Sequence, residues 1–339
     1  MILAGIDEAG YGPTLGPLVV SVSYFRVPET GPASDCGSAG SPDLWKLLQA
    51  AVCRKPDGLR APVDDSKKLF HQEKGLRDLE EGALPFLCVR SGVVPRTLRS
   101  LLRTVANRGE EDAGSAAPDS YLDAYPWYRG RDVDLPLDTF ANVVHRRARS
   151  LAGALAECGV EFLGMAACPV EVIEFNRGLL ETENKALVSF RAVTGFIHAL
   201  WKAYPDEAVD VLVDRQGGRM RYARHLYDRV SPRSIRIEEE TEEISAYLLR
   251  RPSQGARSTF RVTFATGCEE RCLAVALASM VSKYVREAHM ALFNRYWREH
   301  QADLKPTAGY STDARRFLAD ILPLRARLGI DDSVLVRRR

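Results

Sequence analysis

The chain has 339 residues, 45% of them apolar, and its 47 lysines and arginines nearly balance 45 aspartates and glutamates, leaving a net charge of +2. This length suffices for one large domain or two ordinary ones. The near-neutral charge does not by itself indicate a nucleic-acid-binding protein, so any basic surface must be local. The N-terminus lacks a signal-peptide pattern, and no apolar run reaches the roughly 18 residues of a membrane helix. We therefore expect a cytoplasmic protein without membrane contact.

Two adjacent carboxylates stand at the end of the first predicted strand. An apolar run over 2–6 leads into Asp7 and Glu8, a turn rich in glycine and proline follows over 10–16, and a second strand is predicted over 18–25. Buried carboxylates are costly unless they are paired, and oxygen ligands suit Mg²⁺ or Mn²⁺. Backbone N–H groups of the glycines could bind an anion beside them. This combination indicates phosphate chemistry.

The next hundred residues give weaker patterns. A loop is predicted over 28–42 and a helix over 44–52. A charged turn that leads into a helix follows over 64–81, and then a strand over 84–94 and an irregular insertion over 107–138. Four aromatic residues in the insertion argue against disorder: Tyr121, Tyr125, Trp127 and Tyr128. Packing on the core or a lid role is the favoured interpretation, and stacking on nucleic-acid bases stays open.

In the second half of the chain, strands alternate with helices. Strands are predicted over 160–167, 209–213 and 234–237. Helices are predicted over 140–157, 170–204 with a break near Thr182, 219–230, 242–250, 269–297 and 311–322, with a linker over 252–258. This order predicts an α/β fold, in which helices cover a mixed sheet. The three terminal arginines, 337–339, suggest a frayed, solvated tail.

The acids at the strand ends form a candidate constellation. Asp7 and Asp214 each follow an apolar strand, and if the two strands are neighbours, the carboxylates meet at the edge where open α/β sheets place their sites. On the long helix, Ser279, Lys283 and Glu287 share a face because they are four residues apart. On the helix alone, a salt bridge between Lys283 and Glu287 is the favoured explanation of this stripe, but the two acids at the strand ends strengthen the functional interpretation. Four carboxylates around two cations suit in-line phosphoryl transfer.

Six segments of the chain, in order, resemble motifs of the type 2 ribonuclease H family, which comprises ribonuclease HII and its relatives. Residues 5–13 resemble GxDEAGRGP, and residues 65–69 match DSKKL. The remaining four segments are 170–176, 211–214, 278–287 and 309–312. The resemblance implies an RNase H-like fold, a mixed five-stranded sheet flanked by helices. It also implies cleavage of RNA in RNA–DNA hybrid duplexes or at RNA–DNA junctions, by two-metal hydrolysis with Mg²⁺ or Mn²⁺ that leaves 3′-hydroxyl and 5′-phosphate ends.

The resemblance assigns metal-binding roles to four acids. Asp7, Glu8 and Asp214 match three of the family's four metal-binding acids, and Glu287 stands where the fourth, an aspartate, is expected. Glu287 is one methylene longer than aspartate, which could displace a metal by about an ångström. Asp214 is followed by Arg215 rather than by glycine.

Eight further residues match positions that bind the substrate or support the acids: Gly10, Tyr11, Gly12, Lys67, Lys68, Ser279, Lys283 and Tyr310. The first three match the turn that senses the ribose 2′-hydroxyl, the group that separates RNA from DNA. Tyr310 matches the tyrosine that packs on the sugar at a junction. Tyr11 replaces an arginine, which removes a cation beside the phosphates.

The expected organisation is an RNase H-like catalytic domain over 1–300, with a family-atypical insertion at about 84–138. A C-terminal helical segment, 301–339, would carry the GYxT-like motif, and we expect a monomer. The departures from the family leave open a non-catalytic protein that binds hybrids or junctions, and a nuclease that acts on DNA junctions. A plain α/β domain with salt-bridged acids would leave six ordered motif matches to chance.

Overall fold

The computed structural model describes residues 1–28, 41–70, 75–106, 117–215, 219–251 and 259–338. The predicted linker over 252–258 and most of the predicted loop over 28–42 lie outside these ranges. No helix in the described part of the chain is long and apolar enough to cross a membrane.

The described residues contain nine strands and twelve α-helices. The strands β1 to β9 are Ile2–Ala9, Leu18–Arg26, Val52–Cys53, Ala61–Pro62, Glu161–Val170, Val209–Asp214, Ser234–Glu240, Ile244–Arg250 and Phe260–Ala265. The helices α1 to α12 are Leu44–Leu47, Ser66–Leu69, Arg77–Ser91, Leu98–Thr104, Ala141–Glu157, Val172–Thr182, Lys185–Ala203, Ala223–Val230, Leu273–His300, Ser311–Asp320, Leu322–Leu328 and Asp332–Leu335. Short 3₁₀ turns cover Ser120–Ala124 and Cys268–Glu270.

A mixed sheet of seven strands, in the order β5-β2-β1-β6-β9-β8-β7, organises this part of the chain. β1 runs antiparallel to β2 and parallel to β6, and β6 is parallel to β9. The predicted α/β class is confirmed. The sheet has two strands more than the predicted five, because the hairpin of β7 and β8 extends it beyond β9.

Two predicted elements have the wrong type. The strand predicted over 84–94 is the C-terminal half of α3, and the helix predicted over 242–250 is β8. Every α3 residue from Gly82 to Cys88 is buried, and the five central residues of β8 are buried as well. A segment that is apolar on all sides shows neither the 3.6-residue nor the two-residue period, so its sequence does not distinguish helix from strand.

Helices cover both faces of the sheet. The long helix α9 packs on β1 and β2 on one face, whereas Phe196 and Ile197 of α7 belong to the core of the other face. Tyr125, Trp127 and Tyr128 of the insertion are buried in the α9-side core, so they pack in the core and are not available to stack on bases. Phe317 of α10 joins the same core.

Gly5 lets α9 lie directly against β1. A Cβ atom at this position would lie 2.2 Å from the amide nitrogen of Val275 and 2.3 Å from the carbonyl carbon of Ala274. Both are backbone atoms of α9, which cannot move aside as a flexible side chain would. The absence of a side chain at Gly5 therefore fixes the distance between the helix and β1, the strand that carries Asp7.

Replacing Gly5 by alanine should destabilise the fold strongly, by about 3 kcal/mol, because α9 must move away from the sheet. Gly153→Ala is the matched control, since a Cβ there meets nothing within 4 Å in the middle of α5. We expect that control to stabilise the protein by about 1 kcal/mol. Urea unfolding of both variants checks the prediction, and equal effects at the two sites would contradict it.

Candidate active site

The parallel pairing of β1 with β6 brings two of the predicted acids together. Ile6 pairs with Val213, so the next residues, Asp7 and Asp214, emerge side by side at the C-terminal edge of the sheet. The predicted neighbourhood of these two strands is thus confirmed. Asp7 is 7% exposed, and Glu8 donates its backbone N–H to Asp7 Oδ1 at 2.7 Å.

A third carboxylate, from Glu269, reaches the same place. It lies in the 3₁₀ turn after β9, where the Cys268 N–H donates to Asp214 Oδ1 at 3.1 Å, and its carboxylate is close enough to Asp214 to raise the pKa of that group. The residue is 8% exposed, and its Oε2 is buried without a hydrogen-bond partner. We call Asp7, Asp214 and Glu269 the acid cluster.

Sequence reasoning missed Glu269 because it placed this residue in the first turn of the long helix. The helix actually begins at Leu273, and the preceding strand β9 was not predicted. The available signal was the acidic pair Glu269-Glu270 shortly after the run from Phe260 to Ala265, which repeats the pattern of an apolar strand followed by acids.

Like charges crowd the acid cluster. Burial raises the pKa of Asp7 well above its usual range, and repulsion from Glu8 raises it further. Burial raises the pKa of Asp214, and the neighbouring Asp7 and Glu269 carboxylates raise it further, to about 8. Crowding of like charges disfavours the ionised carboxylates, so a cation bound among them would be strongly attracted.

A chain of hydroxyl groups orients Asp7. Ser279 of α9 is hydrogen-bonded to the Asp7 side chain, and its Oγ lies 3.0 Å from Ser66 Oγ of α2. Asp65 caps α2 by accepting the Lys67 N–H at 3.0 Å. Burial lowers the pKa of the Lys67 ammonium, but attraction to Asp65 and to the acid cluster raises it above its usual value. Segment 65–69 thus supplies both a hydroxyl and a cation to the site.

Lys68 lies farther out. Its Nζ is 2.9 Å from Glu270 Oε1 and 3.6 Å from Asp64 Oδ1, and about half of the side chain is exposed. It faces solvent rather than the acid cluster, so it could reach a bound backbone but not the acids.

The structure does not bring Glu287 to the acid cluster. Its Oε1 lies 2.6 Å from Lys283 Nζ, which itself lies 4.1 Å from the ring centroid of Phe70. The interactions that shift the pKa values of Asp7 and Asp214 include Glu269 but not Glu287. Because Ser279 contacts Asp7, Glu287 lies eight residues, or about 12 Å, farther along the helix. The salt bridge that the sequence left open is formed.

The glycine turn, residues 10–16, lies next to the acids and requires glycine at its first position. Gly10 has φ +85°, and a Cβ there would lie 2.6 Å from Arg286 Nε and 2.7 Å from the Pro17 carbonyl oxygen. Around Gly12 the space is open. The Tyr11 ring lies 4.5 Å from Lys185 Nζ. Two residues of the turn thus present backbone without side chains.

Arg286 joins the glycine turn to Tyr310. This guanidinium is 1% exposed and donates Nη2–H to the carbonyl of Leu15 at 3.2 Å and to that of Ala308 at 3.0 Å. The Thr14 N–H donates to the Gly309 carbonyl at 2.8 Å. Tyr310 is half exposed, and its ring centroid lies 5.9 Å from the Arg286 guanidinium. The predicted sugar-binding tyrosine is therefore held next to the turn.

The C-terminal tail, residues 336–338, supports the glycine turn from below, so the predicted frayed tail is wrong for this stretch. Arg337 is 2% exposed, donates its backbone N–H to the Thr14 carbonyl at 2.9 Å, and donates from its guanidinium to the Pro13 carbonyl. Its guanidinium also lies 5.1 Å from the Phe175 ring centroid. Asn176 donates to the Val336 carbonyl at 2.9 Å. The tail thus fills a groove between α6 and the turn.

Arg215 does not add a cation to the acid cluster, although it follows Asp214 directly. Its guanidinium donates to Ser245 Oγ at 2.5 Å and to the Thr241 carbonyl at 3.1 Å, and the residue is 8% exposed. Its role is to hold the start of β8 against the end of β6.

A buried pair of titratable groups lies at the start of α6, in the segment that resembles the family. Glu171 is 1% exposed, and burial raises its pKa to about 8. His289 lies 3.9 Å away and is fully buried, which lowers its pKa to about 4. Its Nδ1 lies 2.7 Å from the Val285 carbonyl and must carry the proton, so Nε2 accepts from Tyr121. Both groups are therefore neutral near pH 7.

The donor set of the acid cluster fits a hard divalent cation. Asp7 and Glu269 are buried and Asp214 is partly exposed. Such carboxylates, with Glu269 Oε2 unpartnered, are the ligand type that Mg²⁺ and Mn²⁺ prefer. Among the described residues, however, no three His, Cys, Asp or Glu side chains are already arranged so that they could hold one ion.

Solved structures similar to this chain include ribonucleases HII and HIII. Ribonuclease HII of Archaeoglobus fulgidus, in complex with PCNA, is 14% identical with a TM-score of 0.40, covering 100% of this chain and 95% of that chain. Ribonuclease H2 of Pyrococcus horikoshii OT3 is 13% identical, with a TM-score of 0.36, and the match covers 99% of this chain and 92% of that chain. Bst-RNase HIII in complex with Mn²⁺ is 14% identical, with a TM-score of 0.38, and the match covers 99% of this chain and 66% of that chain.

These proteins belong to the family that the sequence motifs resemble. At such low identities and TM-scores, the likeness carries no argument about the site or its activity. No protein-family model and no curated protein matches the sequence.

Arg337→Ala should destabilise the protein by about 2 kcal/mol, because it leaves the Pro13 carbonyl without its donor and opens a cavity beneath the glycine turn. Arg338→Ala is the matched control, since that neighbour is exposed, and should change stability by less than about 0.5 kcal/mol. Thermal unfolding measures both. Equal melting temperatures for the two variants would show that the tail does not support the turn.

Glu171→Gln should stabilise the protein at pH 8 by about 2 kcal/mol while changing little at pH 5. The folded state keeps a proton on Glu171 that the unfolded state releases, so wild-type stability falls as the pH rises from about 4.5 towards 8. Glutamine has no proton to lose. Urea unfolding across this range measures the effect, with the exposed Glu157→Gln as control. A parallel pH dependence in wild type and Glu171→Gln would refute the assignment.

Proposed function

We propose that this protein is a divalent-metal-dependent endonuclease. It would hydrolyse RNA in RNA–DNA hybrids, or at ribonucleotides embedded in DNA, and leave 3′-hydroxyl and 5′-phosphate ends. The observation that carries the proposal is the convergence of the acid cluster with the glycine turn at one edge of the sheet. The acids suit cations that act on phosphate, and the turn offers exposed backbone where a sugar can approach closely.

Asp7, Glu8, Asp214 and Glu269 are the proposed metal ligands. Glu269 takes the place that the sequence resemblance gave to Glu287, because Glu269 contacts Asp214 whereas Glu287 is paired with Lys283. Bound Mg²⁺ or Mn²⁺ ions supply an activated water and stabilise the negative charge on the leaving oxygen.

The neighbouring polar residues prepare the acids for this task. Ser279, backed by Ser66, fixes the orientation of the Asp7 carboxylate through its hydrogen bond. Lys67 places an ammonium beside the cluster, where it can offset excess negative charge and contact the backbone of a bound strand. None of these groups needs to act as a nucleophile, since water is the attacking group.

Recognition of the ribose would come from the glycine turn and Tyr310. The open space around Gly12 allows a sugar to approach the main chain of the turn, while Gly10 leaves room for Arg286 beneath it. A hydroxyl can then exchange hydrogen bonds with backbone groups. Tyr310 is half exposed and anchored to the same turn by Arg286, so its ring can pack on a sugar. Contacts of this kind read the 2′-hydroxyl and the backbone rather than the bases.

A single comparison of variants tests the proposal. Duplexes carrying either one ribonucleotide or a ribonucleotide run are incubated with Mg²⁺ or Mn²⁺. Asp7→Asn and Glu269→Gln should each lower the cleavage rate by at least about 100-fold, because each removes a charged metal ligand. Glu287→Gln should stay within about 5-fold of wild type, since a partly exposed ion pair on a helix contributes little.

The same variants also report metal binding without catalysis. Mn²⁺ should raise the melting temperature of wild type and Glu287→Gln, because a ligand that binds only the folded state stabilises it. It should raise that of Asp7→Asn and Glu269→Gln much less. A wild-type protein that binds hybrids in a 2′-hydroxyl-dependent manner but cleaves neither duplex with either metal would overturn the proposed activity. It would support a binding protein instead.

A further inference from the structure

Two cations, Lys185 and Arg219, lie beside the acid cluster on the face of the sheet that α7 covers. Lys185 begins α7 and places its Nζ 4.5 Å from the ring centroid of Tyr11. Arg219 lines a cleft whose wall also includes Asp214, Ala186 and Phe190. Both cations therefore border the gap between the glycine turn and the end of β6.

Arg219 is held in place and has spare hydrogen-bonding capacity. Its carbonyl accepts the hydroxyl of Tyr222, whose ring stacks on Phe264 with centroids 3.8 Å apart. Its guanidinium lies 5.3 Å from the Phe190 ring centroid. Nη1 is buried and has no hydrogen-bond partner, and within the described residues no carboxylate forms a salt bridge with Arg219.

Ala186, which follows Lys185 in α7, lines the same cleft as Arg219, so the two cations reach this region from neighbouring elements. Burial raises the pKa of Tyr11, Glu8 raises it further, and Arg219 opposes the rise. Glu8 and Arg219 thus both act on the Tyr11 hydroxyl. A guanidinium with an unused buried N–H, next to an ammonium and close to the acids, matches a phosphate group, which accepts several charge-assisted hydrogen bonds.

We propose that Arg219 and Lys185 form a phosphate-binding subsite for the strand that is cut, taking the backbone phosphate adjacent to the one at the acid cluster. This subsite rests on the proposed function. It lies on the sheet face opposite α9 and Ser279, so that a bound strand would be held from both sides of the acids. The hydrogen bond from Tyr222 fixes the backbone at Arg219, and the guanidinium lies against the Phe190 ring, which reduces the freedom that binding must remove.

Binding measurements on the full chain test this subsite. Fluorescence anisotropy with a DNA duplex containing one ribonucleotide is recorded in the Asp7→Asn background with Mg²⁺. Adding Arg219→Gln or Lys185→Gln should each weaken binding about 10-fold and reduce the slope of log K against log salt by about 0.9. Arg221→Gln is the matched control, because Arg221 is an exposed arginine two residues away, and should leave both quantities unchanged.

A modified substrate assigns the contact to one phosphate. An uncharged methylphosphonate is placed at each linkage in turn around the ribonucleotide. At the adjacent linkage it should weaken binding of the Asp7→Asn parent by about the same factor as Arg219→Gln, and the two changes together should add nothing further. Additive losses at every linkage, or an unchanged salt slope in Arg219→Gln, would overturn the subsite while leaving the proposed function standing. If neither this parent nor the metal-free wild type binds any duplex, both proposals are overturned.

Discussion

The parallel pairing of β1 with β6 is the constraint on which the site depends. It sets Asp7 beside Asp214 at the end of two buried strands, where neither carboxylate can ionise without repelling the other. The 3₁₀ turn after β9 adds Glu269 to the same place. Such crowding is stable only with a shared proton or with cations. The close contact of α9 with Gly5 keeps Ser279 in reach of Asp7, so helix packing and carboxylate orientation are linked.

The second constraint is the support of the glycine turn by two buried arginines. Arg286 of α9 and Arg337 of the C-terminal tail donate to carbonyls on the inner side of the turn, those of Leu15 and Pro13. The turn is therefore shaped by residues about 270 and 320 positions away in the chain. Burying two cations so close together costs free energy of folding. Burial lowers the pKa of Arg337, and repulsion from Arg286 lowers it further, to about 9. A precise shape of the turn explains why such an arrangement is kept.

Positive charge is local rather than general in this protein. The chain as a whole carries a net charge of only +2, yet Lys67 stands on one side of the acids and Arg219 with Lys185 on the other. Arg215, which directly follows β6, faces away from the acids and donates to Thr241 and Ser245 instead. A cation that is adjacent to the acids in sequence therefore need not lie beside them in the fold. Its position depends on the groups to which its side chain donates hydrogen bonds.

The sequence alone determined the strands that end in Asp7 and Asp214, the mixed α/β class, the break of α6 and α7 near Thr182, and the glycine turn. Each follows from a local pattern: an apolar run that stops at a charge, a helical period, or residues that favour turns. Only the tertiary structure decided that Glu269 rather than Glu287 meets the acids, that α3 is a helix and β8 a strand, and that Arg337 is buried. In each case the outcome depends on which distant element covers the residue, and no local pattern records that.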